Sequence, residues 1–136
     1  MLECLIVGDS IAVGVSQVRP ECQAIAKSGI NSSNWNKLHL QKLKPTKTLI
    51  ISLGANDLSI NTEGNIRSLR TMAKAEKVFW LLPSQKLKPK QVEAVKQVAL
   101  EFGDTVISRP EKDIAGDGVH PTYKGYKVLA EQTKER

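Results

Sequence analysis

Apolar residues along this chain gather into five short continuous runs, each bounded by Gly, Pro or polar residues, and between the runs they recur at helical spacing. Continuous rather than alternating apolar strands suit the interior of a sheet covered on both faces, and their alternation with helices argues for parallel β/α units. The predicted strands are Cys4 to Val7, Gln23 to Ala26, Thr48 to Leu53, Val78 to Leu82 and Thr105 to Ser108.

A short helix is expected directly after Ser10, confined to the residues before Pro20. Trp35, Leu38 and Leu43 predict another, capped by Ser32 or Ser33, and Ile66, Leu69, Met72 and Ala73 form an apolar stripe after Thr62. Val92, Val95, Ala99 and Phe102 repeat the pattern behind Pro89, a good first-turn residue, and Gly103 stands where that helix should stop. Tyr126, Leu129, Ala130 and Thr133 mark a final helix opened by Pro121 and Thr122. The sequence contains no repeat, low-complexity tract or linker. The expected class is therefore α/β: one domain over residues 1–136, a three-layer α/β/α sandwich around a five-stranded parallel sheet of flavodoxin-like order 2-1-3-4-5.

Composition narrows the picture modestly. A length of 136 residues with 40% hydrophobic content suits one core rather than two. Lys and Arg outnumber acidic residues 20 to 14, but the positive charges are scattered and no aromatic stacking motif accompanies them, so solvated helix faces are a better reading than nucleic-acid binding. Cys4 and Cys22 both lie in or beside predicted strands and are expected to be reduced core thiols, compatible with a reducing compartment. The N-terminal apolar run lacks a basic leader and is too short for a signal or a membrane span, so the expectation is a soluble chain, cytoplasmic by default, with no membrane partner.

In open parallel sheets, ligands gather at the carboxyl ends of the strands. Four polar clusters fall there: Gly8-Asp9-Ser10, Ser28-Gly29-Ile30-Asn31, Gly54-Ala55-Asn56-Asp57 and Asp117-Gly118-Val119-His120. A serine hydroxyl becomes an effective nucleophile when a base takes its proton and a carboxylate orients that base. Of the two histidines, His39 sits in a predicted helix away from any strand end, whereas His120 follows Asp117 in a glycine-bearing loop. A glycine amide and an asparagine carboxamide would complete an oxyanion site beside the nucleophile's own amide. Each residue also has an ordinary use: Asp9 and Ser10 can start a helix, Gly29 can turn the chain, and Asn56, Asp57 and Asp117 can cap. Their coincidence at one edge is what points to chemistry.

These clusters, in this order, resemble the sequence blocks of the SGNH hydrolases, the GDSL-like esterase and lipase family. Gly8-Asp9-Ser10-Ile11-Ala12-Val13-Gly14 resembles the nucleophile block, Gly29 the oxyanion glycine, Gly54-Ala55-Asn56-Asp57 the Gly-x-Asn-Asp block, and Asp117-Gly118-Val119-His120-Pro121 the Asp-x-x-His block. The resemblance implies a Ser10, His120 and Asp117 triad, an oxyanion hole at Ser10, Gly29 and Asn56, and supporting roles for Asp9, Gly54 and Asp57. It also implies the sandwich fold reached from periodicity. The Gly-x-Ser-x-Gly elbow of the α/β-hydrolases is absent, as is a phosphate loop.

The expected activity is hydrolysis of a small acyl ester, acetyl on a carbohydrate being the candidate, without cofactor or metal. With no long insertion between strands to form a lid, a shallow open cleft is expected. The alternatives are acyl transfer to a sugar, and a binding or assembly module that keeps the fold without turnover.

Overall fold

The computed structural model describes residues 1–109 and 120–134. The apolar runs become β1 (Leu2–Gly8), β2 (Gln23–Ala26), β3 (Thr46–Ser52), β4 (Ala75–Leu81) and β5 (Thr105–Ile107), hydrogen-bonded in parallel in the order β2-β1-β3-β4-β5. The five-stranded sheet and its order are as expected from the sequence.

Period-two alternation divides the apolar side chains between two cores. Leu5, Val7, Leu49, Ile51, Val78 and Trp80 face a layer of α2 (Ser32–His39), α3 (Ser59–Met72) and α4 (Pro89–Phe102). Ile6, Ile50, Phe79 and Leu81 face α1 (Ser10–Val18) and α5 (Tyr123–Gln132). Gly103 ends α4 in the left-handed conformation.

Several strands begin earlier than their apolar runs. Glu3, Lys47, Glu76 and Lys77 are exposed at the amino-terminal ends of β1, β3 and β4, where ladder pairing such as Thr46 with Ala75 continues past the apolar run. Backbone pairing there is independent of side-chain burial, so hydropathy does not reveal it.

The thiol expectation is overturned: Cys4 and Cys22 form a disulfide. The parallel register explains it. Leu5 pairs with Gln23, so one step back Cys4 lies beside Cys22, with Cα atoms 4.9 Å apart. The bond fastens the short edge strand β2 to the central β1. A disulfide of this kind belongs to an oxidising environment, which removes the support that reduced thiols gave to a reducing compartment. Breaking it, by reductant or by Cys4→Ala with Cys22→Ala, is expected to cost about 3 kcal/mol from loop-closure entropy and to lower the melting temperature by roughly 10 °C. Thermal denaturation with and without dithiothreitol checks this.

The helices α1 and α5 run side by side, and three contacts set their alignment. Arg19, buried just beyond α1, donates to the Thr133 carbonyl oxygen (3.3 Å) and hydroxyl (2.8 Å) at the end of α5. Midway, Gly14 lets the Tyr126 ring rest on α1, since a β-carbon there would stand 2.2 Å from that ring. At the upper end Ser10 meets His120. Among the described residues, no helix is long and apolar enough to cross a membrane.

Candidate active site

Strand β1 ends between two neighbours, Gly8 pairing with Ala26 on one side and Ser52 on the other. The chain turns there without room for a side chain: Gly8 has φ +137°, and a β-carbon would lie 1.8 Å from the Ser52 carbonyl oxygen. That same oxygen accepts from the Asp9 amide (2.9 Å), and the Gly8 carbonyl accepts from the Lys27 amide (2.9 Å).

Asp9 is the N-cap of α1, its Oδ1 accepting from the Ile11 amide (3.0 Å) and the Ser52 hydroxyl (2.9 Å). Burial raises the Asp9 carboxyl above its ordinary pKa, opposed by those hydrogen bonds and by the positive charge of Arg109. Oδ2 has no hydrogen-bond partner among the described residues. The cap fixes Ser10 as the first residue of α1, half-exposed at the positive end of the helix dipole.

His120 stands just before Thr122, the N-cap of α5. Its Nε2 lies 2.9 Å from Ser10 Oγ across a separation of 110 positions. This is hydrogen-bonding distance. Asp117 lies outside the described residues.

Gly29 occupies the exposed turn between β2 and α2 with φ +82°. Asn56 is exposed after β3, and its Nδ2 donates to the Ile30 carbonyl (3.0 Å), so the β2–α2 and β3–α3 loops are joined at the residue following Gly29. Gly54 is buried, and its carbonyl accepts from the Asp57 amide (3.1 Å). His39 lies at the end of α2 against Trp35, its pKa lowered by partial burial and then by the charges of Lys42 and Lys27.

Asp57 is a buried node. Its carboxylate accepts from the Ser32 amide (2.8 Å), the Ser32 hydroxyl and the Thr62 hydroxyl (2.9 Å), and its carbonyl accepts from Gln91 Nε2 (2.9 Å). This corrects two helix starts. Ser32 and Thr62 look like caps in the sequence, but both hydroxyls serve Asp57. The cap of α2 is instead Asn31, accepting from the Asn34 amide (2.7 Å), and α3 begins earlier, behind Leu58. Asp57→Ala would strand these donors and is expected to destabilise the fold by about 2–3 kcal/mol, measurable by urea unfolding.

Ser52 and Gln91 are supporting residues absent from the sequence reading, in which Ser32 and Thr62 stand only as helix starts. Ser52 was within reach, because the expected pairing of β1 with β3 sets it opposite the end of β1. The partners of Asp57 come from three separate elements and leave no local pattern. No group of three or more His, Cys, Asp or Glu is gathered as a metal site among the described residues.

The fold and this cluster define a parallel α/β sandwich with a Ser–His pair at the carboxyl edge of its sheet. No protein-family profile matches the chain, and neither does any curated protein. Solved structures do. The catalytic domain of Streptococcus pneumoniae peptidoglycan O-acetyltransferase A, bearing a methylsulfonyl adduct, superposes with a TM-score of 0.65 at 20% identity, over 96% of this chain and 89% of that one. An inhibitor-bound aryl esterase from M. smegmatis gives 0.64 at 15% identity, over 97% and 98%. A GDSL-like lipase from Bacteroides ovatus gives 0.69 at 13% identity, over 97% and 96%. At these identities the likeness establishes a shared fold.

Proposed function

We propose that this chain is an SGNH-type serine ester hydrolase acting on a small acyl group. The observation that carries the reading is the 2.9 Å approach of His120 Nε2 to Ser10 Oγ. Ser10 attacks the ester carbonyl while His120 takes its proton, and the tetrahedral oxyanion is held by the amides of Ser10 and Gly29 and by the Asn56 carboxamide. The Asn56 nitrogen carries two hydrogens, so the bond to Ile30 leaves one for the oxyanion. Collapse of the intermediate expels the alcohol, which receives the proton from His120. Water then repeats the sequence on the acyl-Ser10 ester and releases the acid. Asp117 orients the imidazole in this scheme, while Asp9, Gly54 and Asp57 hold the loops.

A short acyl group on a carbohydrate remains the preferred substrate class, supported by the acetyl-transfer name of one structural neighbour. The same neighbour favours a second reading, in which a sugar hydroxyl replaces water as the acceptor. A fluorophosphonate probe tests the core of both: wild type is expected to be labelled at Ser10, and Ser10→Ala to remain unlabelled. Equal labelling of the two proteins would remove Ser10 as the nucleophile.

A further inference from the structure

The chain contains six aromatic residues in all. Trp35, Phe79 and Trp80 are buried, Tyr126 packs against α1, and Phe102 lies beneath the Arg70 guanidinium. Tyr123 differs from all of these, being 67% exposed. It is the first residue of α5, three positions after His120 and so within about 10 Å of it along the chain. The Lys127 ammonium stands 5.0 Å from its ring centroid. A cation on one face steadies the ring and leaves the opposite face for a ligand.

An exposed ring three residues beyond His120 is a large, rigid contact surface with little rotamer entropy to lose. It suits a flat substrate whose C–H-bearing face can lie on the aromatic plane while its hydroxyls remain in water. A pyranose ring has that form; a bare alkyl or aryl ester has no such need. Building on the esterase reading above, we propose that Tyr123 is a specificity-determining residue, the platform that seats the sugar ring of an acylated carbohydrate beside Ser10. The rival use of this rim is apolar, because Leu58 and Ile60, 72% and 86% exposed, flank the Asn56 loop and would suit a long acyl chain.

The test compares steady-state kinetics of wild type, Tyr123→Ala and Tyr123→Trp on acetylated xylo-oligosaccharides, 4-nitrophenyl acetate and 4-nitrophenyl octanoate. Tyr123→Ala is expected to raise KM for the oligosaccharide about tenfold, with kcat and both parameters on 4-nitrophenyl acetate unchanged, and Tyr123→Trp to restore the oligosaccharide KM. Equal losses on all three esters would make Tyr123 a mere support for His120 and overturn the platform. So would an unchanged oligosaccharide KM, a loss confined to the octanoate, or wild-type turnover of aryl acetate without turnover of the oligosaccharide. Wild type inert toward every ester and toward the phosphonate would overturn the esterase reading and the platform together.

Discussion

Ser10→Ala is expected to lower kcat/KM on 4-nitrophenyl acetate by roughly 10³-fold or more, and His120→Ala by a comparable factor. In the proposed mechanism the hydroxyl and imidazole act as one unit: without the base the nucleophile keeps its proton, and without the nucleophile the base has nothing to activate. The double variant should therefore be little slower than either single one, since the residual rate comes from the oxyanion donors and binding alone. His39→Ala serves as the control, because His39 packs on Trp35 at the end of α2 and should leave the rate nearly unchanged. Ser10 is half-exposed and its backbone role as the first residue of α1 survives truncation, so the variant should melt within a degree or two of wild type. Undiminished turnover by a correctly folded Ser10→Ala would end the proposed mechanism.

The parts of this architecture that were legible in the sequence are those in which side-chain chemistry and backbone geometry agree. Continuous apolar runs mark β1 and β3 because both faces of these strands are covered, and Pro89 and Gly103 bracket α4 because each fits only one end of a helix. The Ser10–His120 approach was legible as well, since strand ends in such a sheet share one edge. What escaped depends on partners distant in sequence. Ser32 and Thr62 carry the chemistry of caps, and only the folded position of Asp57 shows that their hydroxyls are engaged elsewhere. The disulfide escaped for a related reason: Cys4 and Cys22 read as separate core positions until the one-step register of β1 against β2 sets them side by side. Asp117, the third member of the expected triad, lies outside the described residues and stays with the proposal.

Gly8→Ala is expected to be the most damaging single methyl that can be added near the site. Two separate effects combine. At φ +137° a residue with a β-carbon is strained, and that carbon would stand 1.8 Å from the Ser52 carbonyl oxygen, well inside contact distance. The carbonyl cannot simply turn away, because it accepts from the Asp9 amide and Ser52 is paired in register with Gly8. Relief therefore requires β1 and β3 to separate at the point where Ser10 is held. Strain and overpacking together should cost at least about 4 kcal/mol, or more than 10 °C in melting temperature, with loss of activity in the protein that remains folded. Gly29→Ala provides the contrast: its φ is +82°, but a β-carbon there meets nothing within 4 Å, so only the conformational penalty of about 1 kcal/mol applies and its amide is retained. Thermal melts of the two variants separate a clash from a conformational preference. If Gly8→Ala melts no lower than Gly29→Ala, then β1 and β3 are not locked together at the strand end as described.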